Sequence, residues 1–556
     1  MSAQGRPLPL VTPWNEFYWT SGADGRLRLQ SCESCAGLIH PPKPVCPFCG
    51  GAETSIREVS GRGVLFGFTV SHRFGLPGLP LPIIVAEVAL DEDPRVKLTT
   101  RLVDSDPDEL RLGQPMEVTF EHVEDVWLPL FRPAPGEQPE PPAPLPADEV
   151  PASQVRSLVR ARRPGRKFED DVVLSGIGQS VIGRRLMTDP VALTVAACRA
   201  AVADAGLTME DIDGLSTYPG GMFDSGFGEG GVTAVEAALR LRPTWFNGGG
   251  EVPGPGGSVI AAMLAVSAGL ARHVLCFRTV WQSTYDQLLR EGRLAPGSGR
   301  ISGDMGWTMP FGATSAAHLL GQSAQRHFHA YGTTRETLGW IAINQRANAV
   351  LNPGAIYRDP LTMDDYLTAR MITTPFGLYD CDVPCDGSMA VVVSAAETAG
   401  DLRAAPVHVE AVGTQIIERL EWDQSTSTHE PQVLGPAAHL WTRTALRPQD
   451  VDVAELYDGF TFNCLSWIEA LGFCGLGEAK DFLDGGKNIA RDGVLPLNTH
   501  GGQLSHGRTH GMGLLHEAVV QLRGDAGARQ VPAARVAVVS SGGLTPSGVF
   551  LLRAPS

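Results

Sequence analysis

The spacing of hydrophobic and polar positions changes about a third of the way along the chain. Between residues 63 and 123 four short runs, GVLFGFTVSH (63–72), PIIVAEVAL (82–90), KLTTRLV (97–103) and MEVTFEHV (116–123), are rich in β-branched and aromatic residues and separated by turn residues. That spacing predicts a small closed β-barrel. Upstream, the aromatic and apolar positions from Trp14 to Leu29 predict an amphipathic helix. From residue 172 the runs become continuous and apolar: VVLSGIGQSVIG (172–183), HVLCFRTV (273–280), MAVVVSA (389–395), VHVEAVGT (407–414), DVAELYDG (452–459) and VAVVSSGG (536–543). They alternate with helical stretches such as Pro190 to Ala205, and this alternation predicts a layered α/β fold. No internal repeat is visible at the level of residues, although two similarly sized halves are compatible with the pattern.

The two patterns are separated by PAPGEQPEPPAPLPADEVPASQ and a basic stretch, RSLVRARRPGRK, from Arg156 to Lys167. A proline-rich segment cannot build a core and acts as a semi-rigid tether. The expected organisation is therefore an N-terminal helix and cysteine-rich unit (1–54), a barrel (55–132), a linker (133–168) and an α/β domain (169–556). A chain of 556 residues is long enough for all of these. Its formal charge of −16 argues against a nucleic-acid surface, which needs a positive footprint. The basic stretch fits a solvated linker face, or contact with an anionic cofactor tail. The N-terminus lacks a signal-peptide pattern and no apolar run reaches membrane-spanning length, so a cytoplasmic protein with no membrane segment is expected.

Four of the ten cysteines stand apart. Cys32, Cys35, Cys46 and Cys49 form CESC and CPFC, two pairs on short turns that can close a tetrahedral Zn²⁺ site. A closed four-thiolate shell leaves no position for substrate, so a structural role is expected. The other six lie in apolar or turn contexts and read as small core residues.

The densest chemistry lies in NTHGGQLSHGRTHGMG, Asn498 to Gly513. Gly501 and Gly502 permit close backbone approach, so N–H groups can face a carbonyl oxygen, while His500, His506 and His510 can exchange protons near neutral pH. Taken alone, a Gly-Gly pair of this kind reads first as a glycine-rich turn with solvated histidines, and it is the wider context that reverses this.

Wider motifs carry two resemblances. The cysteine spacing followed by Val-Ser-Gly-x-Gly resembles the family in which a rubredoxin-like zinc ribbon precedes an OB-fold, whose members accompany thiolase-like proteins. GIGQS (176–180), DAGLTMEDIDGL (204–215), Asn352-Pro353, DVPCDGSMAVVV (382–393), ELYDGF (455–460) and the histidine loop together resemble the thiolase superfamily, in the branch of sterol-carrier-protein-type thiolases and lipid-transfer-like proteins. The resemblance implies a five-layered α-β-α-β-α fold, a homodimer, and an acyl-CoA thioester held between two pseudo-equivalent halves.

The departures from that family bear on mechanism. The stretch matching the nucleophile helix, NGGGEVPGPGGSVIAAMLAVSAG (247–269), contains no cysteine, and Ser540-Ser541-Gly542-Gly543 stands at the second family cysteine. Arg508 replaces the usual Gly-His-Pro histidine, and Tyr457-Asp458-Gly459-Phe460 replaces His-Asp-Cys-Phe. Without a thiolate, Claisen condensation through an acyl-enzyme is disfavoured. Glycine-loop N–H groups, with Gly501, Gly502, Gly542 and Gly543 as candidates, still suit an enolate.

The pattern resembles the steroid side-chain aldolases, which act with a zinc-ribbon OB-fold partner; here that partner is fused. The resemblance implies retro-aldol cleavage of a β-hydroxyacyl-CoA, with Tyr457 as acid-base, Asp458 orienting it, and His500, His506 and His510 carrying protons. An acyl-CoA hydratase is an expected partner. Relatives place a tyrosine at Arg508, and arginine cannot act as a base; it suits an oxyanion or CoA phosphates. Two other readings remain open at this point: an acyltransferase using Cys385 or Cys464, and a noncatalytic acyl-CoA or lipid carrier.

Overall fold

The computed structural model describes residues 5–135, 150, 152–156, 165–219, 226, 228, 230–250, 252–253, 256–294, 300–417, 428–430, 432–542 and 547–555. Gly543 and most of the proline-rich and basic segments fall outside these. At the N-terminus only Glu16–Trp19 is α-helical; Ser21–Asp24 forms a 3₁₀ turn and Leu27–Cys32 is a strand, so the helix expected over Trp14 to Leu29 is corrected. Gly25, at φ 75°, ends the helical geometry, and LRLQ alternates buried and half-buried positions as a strand does. That strand pairs with Leu38–Ile39 and Thr54–Val59, carrying the two cysteine turns at its end.

The barrel comprises Arg62–Ser71, Ile83–Leu90, Asp93–Arg101, Pro115–Val123 and Val126–Pro133. Neighbours pair antiparallel, and a bridge from Leu102 to Phe131 closes the circuit. The last strand escapes sequence reading because Pro129 and Pro133 weaken its β signal. Its pairing with Pro115–Val123 places Pro129 opposite Phe120.

In the α/β region the sheet order reveals a duplication that the residues hide. Gly214–Thr217 runs parallel to His273–Trp281, which is antiparallel to Asp386–Ala395, which is antiparallel to Val172–Gln179. Val453–Glu455, Val536–Ser541, Gly548–Arg553 and Val407–Gly413 repeat the same sequence of directions. A short pairing of His408 with Val173 and of Val407 with Leu174 joins the half-sheets. Helix Pro190–Ala205 covers the first half, Leu434–Trp441 the second, and Gly256–Ser267 and Met512–Arg523 pack between the layers, giving the five-layered α-β-α-β-α arrangement. The central strands are apolar on both faces because helices cover both. Among the described residues no helix is long and apolar enough to cross a membrane.

Barrel and α/β region share one continuous contact. Helix Ala316–Tyr331 lies across strand Arg62–Ser71, with His318 Nε2 2.9 Å from Ser71 Oγ and the Arg326 guanidinium 3.6 Å from the centroid of Phe66. Arg326 also donates to the Phe66 carbonyl. Ser71 pairs with Thr373, so Met371–Thr373 and Phe376–Gly377 extend the barrel sheet. Trp19 stacks on Trp307 with centroids 5.0 Å apart. Arg326→Ala removes a cation–π contact and the donor to a partly buried carbonyl, which lowers stability by about 2 kcal/mol. An unchanged denaturation midpoint in that variant would contradict this packing role.

Candidate functional site

The site grows from the C-terminal end of strand Val453–Glu455, where the backbone leaves the sheet but remains buried. Buried amides need partners, and here side chains supply them. Leu456 N–H donates to Asn498 Oδ1 at 2.7 Å while Asn498 Nδ2 donates to the Leu456 carbonyl at 2.8 Å. Tyr457 N–H donates to Ser540 Oγ at 2.9 Å. Thr499 donates through both its N–H and its hydroxyl to Glu455 Oε1, at 2.9 and 2.7 Å. The histidine loop is thereby sewn to the strand end.

Tyr457 is held in a slot without neighbouring side chains on several sides. A Cβ at Gly459 would lie 2.9 Å from its Cε1, and one at Gly542 would lie 3.2 Å from its Cδ1. Larger residues there would displace the ring. Burial pushes the phenol far above its usual range; Asp382 and Glu430 push the same way, and Arg508 and Gln503 oppose. The resting hydroxyl is therefore neutral, and acts as a base only by passing its own proton on.

Asp382 belongs to that constellation although its sequence context gave no role. Its Oδ2 lies 3.4 Å from Arg508 Nε, and its N–H donates to the Gly459 carbonyl at 3.0 Å. Burial raises the carboxyl to about 6, against the opposing pull of Arg508, so it is ionised at neutral pH. Arg508 also bonds to Gln282, and His510 to Arg278. Burial, then Arg278 and Arg508, drive His510 well below its usual range, so its ring is neutral.

The remaining loop groups lie behind this cluster. Asp458 turns away from Tyr457: its Oδ1 accepts from Gln503 N–H at 2.8 Å, and Oδ2 would lie only 1.9 Å from a Cβ at Gly502. Asp458 thus fastens the loop, and Gly502, at φ 57°, admits no side chain. The Gly501 N–H donates to the Asn498 carbonyl at 2.9 Å, closing a turn rather than facing a ligand. His500 Nδ1 lies 3.3 Å from Glu455 Oε2, and its ring centroid is 5.0 Å from that of His506. Burial disfavours the His500 cation, but Glu455 outweighs it and raises the ring; burial and the neighbouring His500 hold His506 well below its usual range. The structure therefore joins Tyr457, Arg508, His510 and Gly542 on one side, and Asp458, His500, His506, Gly501 and Gly502 on the other.

Glu430 was not legible either. Its Oε1 would lie 2.8 Å from a Cβ at Gly542, its N–H donates to Ser466 Oγ at 3.0 Å, and burial raises its carboxyl to about 8, against a smaller pull from Asn463. The preceding His429 is anchored: its Nε2 lies 2.7 Å from Glu469 Oε2, which His327 Nε2 also approaches at 3.2 Å. Gly477 and Ala479 N–H groups complete the shell of Glu469 at 2.7 and 3.0 Å.

None of the cysteines near this region is poised to attack. Burial pushes Cys276, Cys381, Cys385 and Cys464 up, away from the thiolate form. The N-terminal four behave differently. Sγ atoms of Cys32 and Cys49 lie 3.6 Å apart, those of Cys35 and Cys46 3.7 Å, and all four within 4.8 Å of one another. That spacing fits one tetrahedral Zn²⁺. Backbone N–H groups of Cys35 and Ser34 lower Cys32 to about 7, against burial, while at Cys49 the Gly51 N–H is outweighed by the neighbouring thiols, which push it up to about 12, so crowded thiolates call for a cation between them.

Family models match three parts of the chain: a ChsH2 rubredoxin-like zinc ribbon domain (19–55), a ChsH2 C-terminal OB-fold domain (56–121) and a thiolase C-terminal domain-like region (425–551). A steroid side-chain-cleaving aldolase from Thermomonospora curvata is 33% identical over 385 residues, covering 68% of this chain and 97% of that protein. A 17-hydroxy-3-oxo-4-pregnene-20-carboxyl-CoA lyase from Mycobacterium tuberculosis is 33% identical over 392 residues, with coverage of 68% and 97%. The solved Ltp2-ChsH2(DUF35) aldolase superposes with a TM-score of 0.62 at 32% identity, covering 69% of this chain and 98% of that one.

Two outcomes follow from this geometry. The Asp458 carboxyl, raised from 3.8 to about 6, favours the folded state in its protonated form. That contribution is complete below the unfolded pKa and lost as pH rises through about 6. Asp458→Asn keeps an acceptor for Gln503, so its stability relative to wild type rises between pH 4 and 7 by up to about 3 kcal/mol; a pH-independent difference would refute the assignment. Metal analysis of the purified protein should find one Zn²⁺ per chain, lost in Cys32→Ser together with ribbon stability.

Proposed function

Since the chain belongs to the family of thiolase-like acyl-CoA aldolases represented by the T. curvata and M. tuberculosis proteins, we propose that this carbon–carbon lyase cleaves a β-hydroxyacyl-CoA with a bulky, steroid-like acyl part. The observation that carries the reading is a buried, neutral Tyr457 phenol within electrostatic reach of an ionised Asp382, in a site whose cysteines are all held as neutral thiols. That arrangement suits proton transfer and not acyl-enzyme chemistry.

Tyr457 accepts the β-hydroxyl proton as it passes its own to Asp382. The Cα–Cβ electrons move to the thioester, the β-carbon becomes a ketone or aldehyde carbonyl, and an enolate of a shorter acyl-CoA remains. The neutral His510 ring and the Arg278 guanidinium bonded to it supply donors for that enolate. Arg508 holds Asp382 in its ionised form.

The ribbon and barrel brace the strands leading to Asp382. A second copy is expected to add to the edge strand Trp245–Asn247, where Phe246 is 67% exposed. The substrate is the product of hydrating an α,β-unsaturated acyl-CoA, so a hydratase is the natural supplier.

Tyr457→Phe should preserve fold and CoA binding while cutting cleavage of a branched β-hydroxyacyl-CoA by about 10²–10⁴-fold, followed as carbonyl product by mass spectrometry. Turnover at the wild-type rate would remove Tyr457 from the chemistry. Acyl exchange that iodoacetamide abolishes would return the mechanism to a cysteine.

A further inference from the structure

We infer that Glu430 is a second catalytic acid, delivering the proton that converts the departing acyl-CoA enolate into product at Cα. The inference rests on the aldolase reading and extends it, because retro-aldol cleavage leaves a step that Tyr457 and Asp382 do not perform. They remove a proton from the β-oxygen, whereas the enolate needs one at the adjacent carbon.

Glu430 has the placement for that second task. It is 1% exposed, yet its Oε2 has no hydrogen-bond partner among the described residues. Its other oxygen lies 2.8 Å from the position a Cβ would take at Gly542, and the same point is 3.2 Å from Cδ1 of Tyr457. Carboxyl and phenol thus pack against the same small residue, so closely that a side chain at 542 would crowd both. Burying an unpaired carboxylate is costly, whereas a protonated carboxyl is a good donor. Burial raises this group to about 8, so it carries a proton at neutral pH.

The backbone is built to hold the acid there. Glu430 N–H is fixed to Ser466 Oγ, and His429 is locked to Glu469, itself bound by His327 and the N–H groups of Gly477 and Ala479. A side chain kept only for packing would not need a polar terminus in this position.

The step balances without a further reactant. The O–H bond of the Glu430 carboxyl breaks as a C–H bond forms at Cα, and the enolate electrons supply that bond. Glu430 is left as carboxylate and Asp382 as carboxylic acid. Return of one proton from Asp382 to Glu430, through Tyr457 or water, restores both, so the proton lost by the β-hydroxyl is accounted for at Cα.

The test separates protonation at Cα from cleavage. Propionyl-CoA is incubated with the full chain in D₂O, and deuterium at Cα is followed by mass spectrometry beside β-hydroxyacyl-CoA cleavage. Glu430→Gln keeps shape and bonding capacity but has no acidic proton; it should lose Cα exchange and cleavage at least 100-fold while still binding propionyl-CoA. Glu430→Asp, which alters shape but keeps the acid, should exchange faster than the Gln variant. A structural role predicts the reverse order, so Gln equal to or better than Asp overturns the assignment even if both variants are less stable. A wild-type chain that exchanges but never cleaves overturns the aldolase reading and, with it, this role. Cleavage by wild type with undiminished exchange in Glu430→Gln overturns the Glu430 assignment alone.

Discussion

The site depends on one constraint: a buried strand end whose backbone is satisfied by side chains instead of by another strand. Beyond Glu455 the chain must leave the sheet to present Tyr457, yet the surrounding layers exclude water that could pair the freed amides. Asn498 answers this by bonding to both the N–H and the carbonyl of Leu456, and Ser540 takes the N–H of Tyr457. An unpaired buried amide costs about 1–3 kcal/mol, so these bonds select one conformation of the strand end. They also explain why the histidine loop follows in that location. Asn498 is its first residue, and Thr499 is bound to Glu455 on the same strand.

Once the backbone is fixed, electrostatics divides the labour between two sides of it. Tyr457 and Asp458 are adjacent in the chain, yet their surroundings differ. Tyr457 meets Asp382, Arg508 and Glu430, whereas Asp458 binds the loop through Gln503 and approaches Gly502. The same burial has different results depending on partners. Asp382 stays largely ionised because Arg508 is beside it; Glu430, without a cation, holds its proton; and Glu469 is driven below the usual carboxylate range despite burial because two imidazoles face it. Two acids in opposite protonation states within one site are what a reaction with both a base step and an acid step requires.

Much of the fold was legible because it rests on local signals. Alternating and continuous apolar runs marked the barrel and the sheet, and the Pro190–Ala205 helix has an Asp189 cap, a proline at its first position and Gly206 at its end. Paired cysteine turns announced their chemistry by spacing alone. Trp14 to Leu29 misled because aromatic density suggests an amphipathic helix whether or not glycines interrupt it. At the site, Tyr457 and the histidine loop were visible as motifs, but the direction in which Asp458 points is set by a contact 45 residues away. Glu430 was invisible for a related reason: nothing in THEP distinguishes a buried acid from a solvated one, and only the approach of Gly542 and the anchoring of His429 to Glu469 give it a context.

The N-terminal units then acquire a mechanical meaning. Ser71 of the barrel pairs with Thr373, and Thr69 shares its hydroxyl with Thr373 and the Thr374 carbonyl at 2.6 Å each. Seven residues later, Asp380 is tied to Tyr366, Thr461 and Gly377, and Asp382 follows with its N–H on Gly459. A short chain of hydrogen bonds thus runs from barrel strand to the carboxylate beside Tyr457. Displacement of the barrel would move Thr373 first, and with it the segment that carries Asp382. Fusion to the ribbon and barrel therefore steadies, from outside the site, the backbone that carries Asp382.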